Sequence, residues 1–129
     1  MSRCHHITLW SASAFEAFSA AHLIDDFLAG VPAEFNLSEP VTLLLALAYM
    51  FALTGLIAAA AHGSQPGYTG LITAGVLITA AQFAKSVPEI LQPGPWRAGP
   101  ISVFLVVGLA LSGVVMSVAA ARCIRLAAS

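Results

Sequence analysis

The chain has 129 residues, 59% of them hydrophobic and only 9% charged, with a formal net charge of -1. Soluble domains carry about 25% charged residues, so this composition excludes a water-soluble globule and predicts an integral membrane protein. The near-neutral balance also excludes the basic footprint of a nucleic-acid binder, and the length predicts a single domain over 1–129.

Arg3, Cys4, His5 and His6 form a short polar lead. The first helix is predicted over 7–29, with Gly30 and Pro32 as stop signals. At about 1.5 Å per residue it is long enough to cross a hydrocarbon layer of roughly 30 Å. Trp10 sits where aromatic belts form. Glu16 interrupts the apolar run, whereas the apolar part of a cleavable signal carries no charge, so the segment reads as a retained helix. A connector containing Pro32, Glu34, Asn36 and Pro40 leads to a second helix over 41–61, which holds no charge. His62-Gly63-Ser64-Gln65-Pro66-Gly67 is a tight turn.

The third helix is predicted over 68–91, with Pro88 expected to kink or end it. Prolines and glycines from Pro93 to Pro100 predict a stiff interfacial loop around Trp96 and Arg97. The fourth helix, 101–121, is again uncharged, and Arg122 and Arg125 follow it. The expected fold class is all-α, an integral membrane bundle of four transmembrane helices at about 7–29, 41–61, 68–91 and 101–121. Arg3, Arg122 and Arg125 outnumber Lys85 and Arg97 on the opposite face, which predicts cytoplasmic N- and C-termini. Cys4 and Cys123 are then expected to be reduced thiols, although a bridge between the first and last helices is geometrically conceivable.

Two polar stripes stand out. At 100° per residue, Glu16, Ser19, His22 and Asp26 share one side of the first helix with Thr8 and Ser11. Gly75, Thr79, Gln82, Lys85, Ser86 and Glu89 share one side of the third. These helices cross in the same direction, so Glu16 and Gln82 both lie near mid-depth, while His22 and Lys85 lie toward the far end. Asp25, Asp26 and Glu89 come close to that interface. Charges inside a bilayer cost several kcal/mol and normally face one another. One reading makes them ion pairs, Lys85 with Asp26 or Asp25 and with Glu89. The other makes Glu16, His22, Asp25, Asp26, Gln82, Lys85 and Glu89 a functional cluster.

Three chemistries suit such a cluster. His22 and Asp26, with Glu89 or Asp25, could hold a metal. His22 could ligate haem or a chlorophyll-type pigment axially. Glu16 beneath His22 and the aspartates could form a proton path. No catalytic constellation is present, so an enzyme is not the expectation. On the fourth helix, Gly108, Ser112, Gly113 and Ser117 form small-residue ridges that permit close helix contact, either within the bundle or with a partner. Gly55 with Ala59, and Gly70 with Ala74, have the same spacing.

His22-Leu23-Ile24-Asp25-Asp26 with Gly30 locally resembles the haem-ligating run of the membrane-anchor subunits of succinate dehydrogenase, over about ten residues. That family has an arginine where this chain has Ala21, and carries the run in its second of three spans. The size, the four spans and Glu16 are similar to the small multidrug transporters, which carry a membrane glutamate in their first helix. The functional expectation is an accessory or anchoring subunit of a larger membrane assembly, in contact with lipid and with other subunits or copies of itself. The alternative is a small proton-coupled or solute transporter acting as an oligomer, using Glu16, His22 and Asp26.

Overall fold

The computed structural model describes residues 3–34, 36–91 and 99–128, apart from the side chains of Val87, Glu89 and Ile90. Among these residues the chain is helical throughout, with no strand. The helices are α1 (Arg3–Leu28), the single turn α2 (Val31–Glu34), α3 (Glu39–Ala61), α4 (Gln65–Leu91) and α5 (Pro100–Ala127). The long helices fall where the apolar runs predict them. α5 continues past 121 because Arg122 and Arg125 are good helix formers, and Arg125 in the last turn faces the negative end of the helix dipole. Pro88 lies inside α4 and does not end it. In the last turn a proline forfeits a single backbone bond. The stiff loop expected around Trp96 and Arg97 lies outside the described residues.

Local chemistry sets the helix ends. Gly30 closes α1 with φ 77°, a left-handed conformation that costs glycine nothing. At the end of α3, Gly63 adopts φ 75°. The Ser64 amide donates to the Ala59 carbonyl at 3.1 Å and the Gly63 amide to Ala60 at 2.8 Å. This pair of bonds satisfies carbonyls that a helix terminus otherwise leaves open. Pro66 lies in the first turn of α4, so α3 and α4 form a hairpin. Within it Gly67 lies so close to the Ala59 and Ala60 backbone that a Cβ there would clash.

α5 is the central helix. It packs extensively on α1 and on α4, while α3 bridges α4 and α1 more sparsely. α1 and α4 therefore occupy a diagonal. His5 bonds Tyr68 at one end of that diagonal and Lys85 meets Asp26 at the other, so the two helices are parallel. α5 runs antiparallel to both, with Asp25 beside Ser102.

Sequence and burial are inverted relative to a soluble bundle. α1 buries His5, Thr8, Ser11, Ser19 and His22 along with Ala12 and Phe15. It exposes Ile7, Ile24, Trp10 at 78% and Leu28 at 80%. α3 buries only Leu53 and Ala60 and exposes Leu43, Leu44, Leu47 and Phe51. Large apolar patches on the outside of a protein mark a non-aqueous neighbour. Three helices are long and apolar enough to cross a membrane: α3, residues Gln65–Ser86 of α4, and α5. α1 has the length, 26 residues, but its polar stripe makes it less apolar than those three.

The core at mid-depth joins Phe15, Leu53, Leu71, Leu109 and Met116. Glycines permit the close approaches around it. Gly108 faces the Phe18 ring, Gly113 faces Thr79 and Phe15, and a Cβ on Gly75 would come within 2.8 Å of the Gly113 carbonyl oxygen. The small-residue ridge of α5 is thus used for packing inside the bundle. Gly55 behaves differently from the ridge its spacing suggests, because no atom lies within 4 Å of where its Cβ would be.

Cys4 and Cys123 form a disulfide, with their Cα atoms 5.6 Å apart and a separation of 119 in sequence. The expectation of reduced thiols is corrected here. Antiparallel packing of α1 on α5 brings the first turn of one beside the last turns of the other.

Candidate functional site

The polar stripe of α1 supplies one rung per turn, because residues three and four apart share a helix face. Its outermost rung is Asp26. The carboxylate Oδ2 lies 3.2 Å from Lys85 Nζ on α4 and 3.6 Å from His22 Nε2. The first is a hydrogen-bonded ion pair. The second is too long for a hydrogen bond and becomes an ion pair only if the imidazole is protonated. Asp25, one residue back and turned toward α5, accepts a hydrogen bond from the Ser102 hydroxyl. The two adjacent aspartates thus tie α1 to two different helices.

One turn deeper, His22 is 6% exposed. Neither of its ring nitrogens has a hydrogen-bond partner among the described residues, and Thr79 Oγ1 and Gln82 Oε1 share that condition. Buried polar atoms left unpaired cost about 1–3 kcal/mol each, so such residues require compensation. His22 and Gln82 border open space, whereas Thr79 faces Gly113 of α5. A cavity of about 140 Å³ is lined by Ser19, His22, Leu23, Tyr49, Gln82 and Leu109, among others. It has room for several waters, each of which needs two to four polar partners.

The third rung is Ser19, whose hydroxyl shares a 3.0 Å hydrogen bond with Tyr49 Oη on α3. The fourth is Glu16, the middle residue of α1, whose Oε1 accepts a hydrogen bond from the Thr54 hydroxyl. Thr54 also bonds the Met50 carbonyl at 2.9 Å. Ala12 and Phe15, both fully buried, pack beyond this level, and past them the α1 stripe resumes with the buried Ser11, Thr8 and His5. The ladder that enters from the Asp26 end thus reaches the middle of α1, where Phe15 separates it from that second polar stretch.

Lys85 and Asp26 meet as one of the sequence alternatives has it, and Gln82 shares the cavity with His22. The expected match in height of Glu16 and Gln82 does not hold: Gln82 comes level with His22, six residues along α1, and Glu16 turns to α3. The side chain of Glu89 lies outside the described residues. Among the described residues no group of three or more His, Cys, Asp or Glu side chains is placed to hold a metal ion. Tyr49, Thr54 and Ser102 are partners that the sequence reading missed. Their signal was present, since hydroxyl side chains in otherwise apolar spans need somewhere to bond. Gly108, Ser112, Gly113 and Ser117 all lie on the inner side of α5, and the Ser112 and Ser117 hydroxyls bond the Gly108 and Gly113 carbonyls of their own helix.

Comparison with protein-family models, with curated proteins and with solved structures returned no match.

Proposed function

We propose that the chain is a four-span membrane protein that handles protons, a small proton-coupled carrier whose polar ladder opens at the Asp25/Asp26/Lys85 end and stops at Glu16. The observation that carries this reading is His22, buried inside the bundle with both ring nitrogens facing unmet demand. Histidine is the side chain whose ordinary titration lies nearest neutrality and which can pass a proton from one nitrogen to the other side of its ring. Below it stand the Ser19–Tyr49 hydroxyl pair and then Glu16, which gives a titratable or hydroxyl group at every turn. A fourth span is supported by the inverted burial of α1, whose exposed side includes Trp10, Ile24 and Leu28. The closed axis at Phe15 means that a transport cycle needs a helix to move. α3, with two buried side chains, is the least anchored.

The test is proton flux into proteoliposomes under an imposed pH gradient, read with an internal dye. His22→Leu and Glu16→Gln are each expected to lower the flux at least tenfold in folded protein. Wild-type flux equal to that of empty liposomes, or flux unchanged in both variants, sinks the proposal.

A second reading, an accessory or anchoring subunit of a larger membrane assembly or a homo-oligomer, draws on the apolar exposed side of α3. Co-purification with other chains after gentle extraction supports it, and a stable monomer from native membranes argues against it.

The disulfide bears on orientation. Disulfides persist in oxidising compartments and are rare in the cytosol, whereas three basic residues against two is a bias of one charge. The reading this favours puts both termini on the non-cytoplasmic face and the Asp26 mouth on the cytoplasmic one. A membrane-impermeant maleimide, added to intact cells after reduction, labels Cys4 and Cys123 only in that orientation.

A further inference from the structure

The polar cavity does not stand alone. Beside it, between α1 and α3, runs an apolar cleft of about 360 Å³ whose walls include Leu23, Ile24, Phe27, Leu43, Ala46 and Tyr49. Leu23 and Tyr49 also line the polar cavity, so the two spaces share those walls. The one hydroxyl side chain in the cleft besides Tyr49 is Thr42, which donates to the carbonyl of Ser38, the residue that caps α3, and offers the cleft little polarity.

We propose that cavity and cleft together bind one lipid-soluble molecule with a single hydrogen-bonding ring and an aliphatic tail, of the quinone or hydroquinone class. The inference rests on the reading above that the polar cavity is a working site, and it names that site's substrate class.

Size selects the head group. A cavity of about 150 Å³ in an engineered protein admits one benzene molecule, and the 140 Å³ here matches one six-membered ring. Chemistry selects its substituents. The groups around the cavity come from different helices: Ser19 and His22 from α1, Tyr49 from α3, Gln82 from α4. A ring with oxygens at opposite edges reaches two of these helices at once. A neutral imidazole offers one donor and one acceptor, and the Ser19–Tyr49 pair spends only one of its two hydroxyl protons on itself. Ring oxygens can thus accept from His22 or Tyr49, and hydroquinone O–H groups can donate to Gln82 Oε1, which has no partner among the described residues.

Charge selects against an ion. The nearest carboxylate, Asp26, already holds Lys85 at 3.2 Å. The tail follows from the cleft, whose large apolar side chains, Ile24 and Leu43 among them, are exposed on the outer side of the bundle. A ligand dissolved in the lipid can therefore enter sideways between α1 and α3.

The test uses the full chain in nanodiscs with two probes, decylubiquinone and its tailless ring, 2,3-dimethoxy-5-methyl-1,4-benzoquinone. Decylubiquinone is expected to bind saturably, one per chain, above its partition into protein-free nanodiscs. Ala46→Phe, which fills the cleft, should weaken decylubiquinone at least tenfold and change the tailless ring less than twofold. His22→Leu should weaken both probes at least tenfold, with thermal unfolding confirming that each variant is folded. Partition equal to that of empty nanodiscs, binding unchanged in both variants, or phospholipid as the sole occupant on native mass spectrometry overturns the proposal. If proton flux persists while no quinone binds, the substrate class falls and the proton site stands. If both are absent, both fall.

Discussion

Lys85 Nζ and Asp26 Oδ2 lie 3.2 Å apart and join α1 to α4 across the diagonal of the bundle. These helices have little direct backbone contact, because α5 on one side and α3 on the other separate them. The long lysine stem spans that gap. The pair is half-buried, with side-chain exposures of 33% and 26%, which places it between a surface pair and a buried one.

Lys85→Met should therefore destabilise the protein by about 1–2 kcal/mol, less than the 3–5 kcal/mol of breaking a fully buried pair and more than a surface pair is worth. The loss comes from an uncompensated carboxylate, so adding Asp26→Leu should restore more than half of it. Thermal unfolding of the single and double variants in detergent measures both. Strictly additive losses would show that the pair does not bridge the helices.

Gly75→Ala should lower the unfolding temperature, because the added Cβ meets the Gly113 carbonyl, a backbone atom that cannot swing aside. Overpacking of this kind costs about 1–3 kcal/mol. Gly55→Ala is the matched control, with open space around it and a gain in helix propensity of up to about 1 kcal/mol. Equal behaviour of the two variants would contradict the close contact of α4 with α5.

The Cys4–Cys123 bridge closes a loop of most of the chain. Cross-links of that length contribute about 2–5 kcal/mol. Reduction, or Cys123→Ser, should lower the unfolding temperature, and alkylation without reductant should add no mass. Two alkyl groups on untreated protein would show free thiols instead.

Ser102→Ala removes the hydroxyl that donates to Asp25. Hydrogen bonds to charged groups are worth about 1.5–3 kcal/mol. Because Asp25 is only half-buried, water recovers part of this, and a loss near 1 kcal/mol is expected on thermal unfolding. No loss would mean that Asp25 is fully satisfied by solvent.

Composition and apolar run length were enough to read the helices. Runs such as 41–61 and 101–121 admit no other regular structure in a lipid-like environment, since a helix bonds every interior backbone group to itself. The stripe on α1 was also legible, because a 100° step places Glu16, Ser19, His22 and Asp26 together whatever the helix packs against. Depth matching brought Lys85 to Asp26, since parallel helices keep equal heights. What one chain read in one dimension could not supply was azimuth between helices. Counting residues from each helix start puts Glu16 opposite Gln82, yet packing sets Gln82 level with His22, and the rotation of α1 turns Glu16 to Thr54 on α3. The same missing angle hid Tyr49 and Ser102, hydroxyls on helices that carried no charge to attract notice. A Cys4–Cys123 bridge is conceivable from four alternating spans, but only the close packing of α1 on α5 brings residues 119 apart in sequence to 5.6 Å. Helices and their stripes are local properties of the chain. Which stripes meet, and the cavity left where His22, Tyr49 and Gln82 fail to touch, are decided by packing.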